Sequence, residues 1–227
     1  MYKNVLIILQ LFYCFSINAQ KPTITLKVGA NCNCQTNVEE AVIESWDEYL
    51  MSISSSERVE TTEPRMVIGI NAGINIGIPL KGSWTFQPGL HLNIKGAKVE
   101  GTYGTGNSST AFSHQETLTY ISIPLGFQYQ LKNNIFIEAG PEAGILVARK
   151  YKETEGAYSA EETDKSDFKK LEIALGLGAR YSFGNTGFGI YGRLLLGITK
   201  VDVSEPYYEK VRNFPRQIGF FYRVKKK

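Results

Sequence analysis

With 227 residues and a formal net charge of only +3, the chain has room for one sizeable domain and lacks the basic footprint of a nucleic-acid binder. No run of eighteen or more apolar residues occurs, which excludes a transmembrane helix by hydropathy. A membrane β-barrel is not excluded, because its spans are about ten residues of alternating character.

The N-terminus predicts an export signal over residues 1–19. Lys3 supplies a positive start, Val5 to Ile17 an apolar core, and Asn18-Ala19-Gln20 a cleavage point after Ala19. Cys14 follows Phe12-Tyr13 and not the small residues of a lipoprotein signal, so no lipid anchor is expected. The mature domain is then residues 20–227.

Ile24, Leu26, Val28 and Ala30 alternate with Thr25, Lys27, Gly29 and Asn31, giving a first strand. From Thr36 the period becomes helical. Thr36-x-x-Glu39 has the form of a capping box, and Val42, Trp46, Tyr49, Leu50 and Ile53 fall on one helix face. Residues 35–65 are expected to form one long external loop that carries this helix and a Ser-rich, acidic tail.

The most informative stretch is Met66 to Val99. Ile68, Ile70, Ala72, Ile74, Ile76 and Ile78 alternate with Val67, Gly69, Asn71, Gly73, Asn75 and Gly77. After Pro79-Leu80-Lys81-Gly82-Ser83, Trp84, Phe86, Pro88, Leu90, Leu92 and Ile94 oppose Thr85, Gln87, Gly89, His91, Asn93 and Lys95. This is a hairpin with one apolar face and one face of small or polar residues. A soluble barrel needs long charged side chains outside, whereas Gly and Asn suit a crowded interior. The apolar face is therefore expected to meet lipid and the polar face to line a narrow lumen.

A Gly/Ser/Thr-rich loop is expected over Gly101 to Gln115. Further alternating strands run from Ile121 to Leu131, Ile135 to Val147, Leu171 to Phe183, Phe188 to Ile198 and Gln217 to Val224. Lys132-Asn133-Asn134 and Gly184-Asn185-Thr186-Gly187 are short turns, and Arg149 to Lys170 is a charged loop. The total is all-β: an eight-stranded antiparallel transmembrane barrel of the small outer-membrane type with one loop helix. Short turns alternate with long loops, as in barrels whose termini are periplasmic. Trp84, Phe86, Phe127, Tyr129, Tyr181, Phe183, Phe188 and Tyr222 all fall outward near the short-turn end, where an interfacial girdle belongs. Pro88, Pro124 and Pro141 interrupt strands that have no edge to shelter them, which predicts local bulges.

The blocks PLKGSWTFQPGLHLNIKGAKVE, TYISIPLGFQYQL, FIEAGPEAGIL and ALGLGARYSF resemble the PorT-like outer-membrane β-barrel family, over nearly all of the mature chain. The resemblance implies an outer-membrane barrel and, for the family's namesake, a part in protein secretion. It carries no catalytic motif. The chain departs from the family by ending in Phe221-Tyr222-Arg223-Val224 and three lysines in place of a terminal aromatic.

Lys27, Lys95, Glu138, Glu142, Glu172, Arg180, Arg193 and Arg223 are expected in the lumen. Glu138 and Glu142 stand about 13 Å apart along one strand, too far for a glycosidase pair at roughly 5 to 9.5 Å. They can reach Arg180 and Arg193 on neighbouring strands, which predicts a salt-bridged plug and no pore. His91 (lumen) and His114 (loop end) lack a triad partner at motif spacing, so no catalytic, cofactor or metal residues are assigned. Cys32 and Cys34 enter an oxidising compartment, and a local disulfide is the favoured expectation if the chain turns there. Trp46, Tyr49 and Leu50 on the loop helix are candidates for either a lid packed on the barrel mouth or an interaction surface. Outer-membrane lipid is one expected partner, and a protein at the external loops or the periplasmic end another. The reading is a non-catalytic structural or interaction barrel; the alternatives are a small transport or ligand-binding barrel and a lipid-modifying enzyme.

Overall fold

A computed structural model describes residues 21–33, 35–36, 38–53, 56–105, 108–163, 170–199 and 211–224. The expected export signal lies outside the described residues. Alternating sequence becomes strand in β1 (Thr23–Asn33), β4 (Val67–Pro79), β5 (Trp84–Thr105), β6 (Ser108–Lys132), β7 (Ile135–Glu155), β9 (Leu171–Ser182), β10 (Phe188–Gly197) and β12 (Arg216–Val224). Each pairs antiparallel with the next, and β1 pairs with β12, closing a ring of eight strands. Closure leaves every spanning strand paired on both sides, the condition for placing backbone in hydrocarbon.

The faces sort by parity. Ile68, Ile70, Leu90, Ile123, Leu171, Phe188 and Ile218 are exposed outward, whereas Asn31, Asn93, Lys95, Ser122, Arg180 and Gln217 are buried inside. The expected aromatics lie outward near the turns after β4, β6 and β9, in contacting pairs: Trp84–Tyr129 (centroids 4.9 Å), Phe86–Phe127 (5.1 Å), Tyr181–Phe183 (5.8 Å) and Phe188–Tyr222 (4.6 Å).

Four expectations about the strands are corrected. Gly101 to Gln115 is not a loop: β5 and β6 run on as a hairpin paired as far as Thr105 and Ser108. Arg149 to Lys170 is likewise part strand, with β7 continuing to Glu155 and pairing with β8 (Tyr158–Glu162). The acidic tail of the first loop forms β3 (Arg58–Arg65), which pairs with the tall part of β5. A five-stranded half-cylinder, β3-β5-β6-β7-β8, therefore rises above one side of the mouth. The expected bulges at Pro88, Pro124 and Pro141 are also absent; register passes each proline unshifted, with two-residue gaps in the pairing. The shifts fall elsewhere, at Val59/Thr61, Thr119/Tyr120 and Gln130/Lys132.

Helix α1 (Val38–Ile53) leans on the inner face of this half-cylinder. Just before it, β2 (Gln35–Thr36) pairs with β11 (Arg212–Asn213). Val38, Ala41, Val42, Trp46 and Leu50 pack with Ala97, Val99, Tyr103, Phe112, Leu118, Tyr120, Leu146 and Val211 in a second hydrophobic core, above the polar lumen.

A closed lumen and its helical lid

Inward side chains of the barrel build a stack of ion pairs. At the outer level Lys95 meets Glu172 at 2.5 Å, and Glu172 also accepts from Asn213 Nδ2 at 2.9 Å. Asn213 is fixed in turn by Gln35 Nε2 at 3.1 Å, so the short β2–β11 pair serves the lumen. At mid-height Glu142 accepts from Arg193 Nη1 (2.5 Å), Ser122 Oγ (2.7 Å) and Asn93 Nδ2 (3.1 Å). Gln217 Nε2 donates to Asn93 Oδ1 at 3.0 Å. Below, Glu138 accepts from Lys27 at 3.2 Å and lies 3.7 Å from both Arg180 and Arg193. Arg180 sits between two rings, with its guanidinium carbon 5.7 Å from Phe136 and 5.1 Å from Phe221. Arg223 is half-buried over Phe136 at 5.2 Å.

Space for this stack comes from small residues opposite large ones. A Cβ on Gly176 would lie 2.2 Å from the Arg193 guanidinium, so glycine there leaves the room that arginine occupies as it crosses the lumen. What remains among Lys27, His91, Glu138 and Arg193 is a void of ≈ 10 Å³, about one water. Sequence alternation placed both the charges and the amides inside, but not which amide meets which partner. Asn31, Asn71 and Tyr191 form a relay of Tyr191 OH to Asn71 Oδ1 and Asn71 Nδ2 to Asn31 Oδ1. Their even spacing along the polar faces was the available signal.

His91 bonds Asn75 Oδ1 at 3.0 Å. His114, expected at a loop end, is buried in β6 above the membrane-spanning part, edge-on to Tyr151 at 4.9 Å. Burial, and secondarily the positive charge of Arg149, hold its imidazole down to about 4. Cys32 is a half-exposed free thiol on β1, and Cys34, its expected disulfide partner, lies outside the described residues.

The lid divides the three helix candidates. Trp46 is 6% exposed and Leu50 0%, whereas Tyr49 is 47% exposed. Trp46 stacks on Phe112 (4.5 Å) and Tyr103 (5.4 Å), so it and Leu50 are committed to packing, and Tyr49 alone of the three faces solvent. Ile53, expected on the buried face, is exposed at the last residue of the helix. Two acids of the helix are anchors: Asp47 accepts the Val59 amide at 3.0 Å, and Glu39 accepts the Thr62 hydroxyl at 2.7 Å. Glu40, Glu44 and Glu48 remain exposed at i, i+4 and i+8.

An apolar exterior, an aromatic girdle and an ion-paired interior define a small transmembrane β-barrel with a closed lumen. The chain belongs to the outer membrane protein β-barrel domain family, whose model matches residues 18–203. It is thus an outer-membrane barrel, seated in that membrane's lipid. Among curated proteins, none matches the sequence. Solved structures similar to it include Ail, the attachment invasion locus protein of Yersinia pestis, at 12% identity and TM-score 0.38, covering 89% of this chain and 97% of that one. Neisserial surface protein A matches at 9% identity and TM-score 0.43, covering 90% and 100%. The outer membrane protease OmpT of Escherichia coli matches at 8% identity and TM-score 0.41, covering 89% and 96%.

Proposed function

We propose that this protein is a non-catalytic interaction component of the outer membrane, acting through its extracellular lid. The carrying observation is the wet face of α1. Glu40, Glu44 and Glu48 form a stripe of like charges at i, i+4 spacing, and the last turn holds no basic residue. Such spacing weakens a helix by about 0.2–0.5 kcal/mol per pair, and nothing in the lid core needs it. The C-terminal end of the same helix exposes Tyr49, Met51 and Ile53, and acidic stripe and apolar end together suit a basic partner protein with an apolar contact point. The transport alternative is disfavoured by the ion pairs and the water-sized void in the lumen. The side-chain bond of His91 to Asn75 and the ring packing of His114 support a non-catalytic reading. The resemblance to PorT-like barrels adds protein secretion as the setting in which to seek the partner.

The test is crosslinking and co-purification from intact outer membranes, comparing the natural protein with a Glu40→Lys/Glu44→Lys/Glu48→Lys variant. The variant keeps the heat-modifiable gel mobility of a folded barrel and loses the partner. Equal recovery of the same partner from both proteins overturns the assignment to α1.

A further inference from the structure

The lipid-facing wall carries a depression of ≈ 700 Å³ across β1, β12, β10, β9 and the start of β7. Its upper row consists of Ala30, Ile218, Gly192 and Ala179, which are successive cross-strand neighbours. Directly below, towards the periplasmic end, Phe220, Ile190, Tyr181 and Ile135 form a ledge of bulky side chains. Three small residues above a bulky ledge make a socket in this part of the wall.

Gly192 is the informative position. A Cβ built there meets nothing nearer than the Gln217 carbonyl at 4.0 Å, and the backbone is not in the left-handed region. Nothing among the described residues therefore requires glycine. Glycine in a strand interior is costly and marks a close approach by something else, and what approaches this face is lipid. One register step above, on the extracellular side, the row holds Cys32, Arg216 and Leu194. Arg216 is exposed and directed outward, a cation over an apolar socket. Its guanidinium stands 5.9 Å from the Phe214 ring.

We propose that this socket seats an acyl chain of a phosphate-bearing, multiply acylated lipid of the outer leaflet, lipid A in chemistry, with its phosphate on Arg216. The volume lies within the ~300–1,000 Å³ of ordinary ligand sites, and a guanidinium is the side chain suited to a phosphate.

The full-length barrel is purified in mild detergent, stripped of lipid and offered bisphosphorylated or dephosphorylated lipid A, with bound lipid counted by native mass spectrometry. The natural protein retains the phosphorylated form in preference. Gly192→Leu fills the socket and lowers retention at least tenfold, whereas Arg216→Gln retains both forms equally. Ile123→Ala, on β6 away from the socket, behaves as the natural protein, and gel mobility reports folding for every variant. Equal retention by the natural protein, Gly192→Leu and Arg216→Gln overturns the site. So does disulfide crosslinking between two copies bearing Ala179→Cys with no lipid retained, which assigns the face to a second barrel.

Discussion

The mid-lumen triad of donors on Glu142 gives the sharpest test of how the barrel is held closed. Replacing Glu142 with Leu removes the acceptor of a 2.5 Å bond from Arg193 and of bonds from Ser122 (2.7 Å) and Asn93 (3.1 Å). Asn93 keeps Ser122 Oγ at 2.7 Å, so most of the damage falls on Arg193, left with Glu138 at 3.7 Å. Breaking a buried pair by removing one partner costs about 3–5 kcal/mol, because the surviving charge is stranded. Arg193→Leu strands Glu142 with its neutral donors and costs a similar amount. The double variant, with two apolar side chains of comparable volume, costs less than either single variant, so the two changes are strongly non-additive. Urea unfolding in phospholipid vesicles, followed by tryptophan fluorescence, measures all four corners of the cycle. Single-channel recording supplies a second readout: the natural barrel shows no stable conductance, and Glu142→Leu, whose stranded arginine draws water inward, shows intermittent openings. If both single variants lie within about 1 kcal/mol of the natural protein, the ion pairs do not hold the plug and the reasoning fails.

Trp46→Ala removes the centre of the lid core and costs ~3–5 kcal/mol there; amide exchange should rise in α1 and β3, while β9 and β10 stay protected. Uniform exchange throughout the barrel would show that the lid is not a separate cooperative unit. His114 gives a pH dependence of fixed sign. Its folded value of about 4 lies below the ordinary 6.5, so the unfolded form binds more protons between the two. The lid's stability is therefore fully present above pH 6.5 and is lost as pH falls towards 4, by about 3 kcal/mol in all. Exchange of the β6 amides near His114, corrected for intrinsic rates, reads this, and His114→Gln should flatten the dependence. An unchanged slope in that variant assigns the effect to another group.

The barrel was legible because a period of two carries both strand and face, and because Gly and Asn opposite Ile leave one choice for which side is wet. Asn71, Asn75 and Asn93 could not be matched with partners in the same way. Which amide meets which carboxylate depends on the stagger between strands, and alternation carries no information on stagger. The height of the sheet was hidden for another reason. Gly101 to Gln115 has the composition of a loop, yet Tyr103 and Phe112 keep the inward parity of their strands, as do Val99 and Leu118. Following parity past the composition change would have revealed the second core and supplied the cover that Trp46 and Leu50 require. Tyr49 and Ile53 satisfy the same helical period as those two yet are exposed, and the period alone does not say where burial stops.

Three prolines in a closed barrel are tolerated because each opens one interface only. Pro88 interrupts β5 towards β4 but stays paired with Leu125 of β6. Pro124 interrupts β6 towards β5 but stays paired with Glu142 of β7. Pro141 interrupts β7 towards β6 but stays paired with Leu175 of β9. The gaps therefore step sideways around the wall, and at each one the opened strand remains held by its other neighbour. A bulge would relieve one gap only by shifting every inward side chain beyond it to the lipid face, and Lys95, Glu142 and Glu172 make that shift prohibitive. Restoring one donor should change little. Pro124→Ala regains a ladder bond of about 0.5–1.5 kcal/mol and gives up about 0.4–1 kcal/mol of restricted unfolded chain. Unfolding in vesicles should thus place it within about 1 kcal/mol of the natural protein, with β6 in the same register by cysteine crosslinking to β7. A register shift in that variant would mean that the prolines, and not the buried charges, set the stagger of the wall.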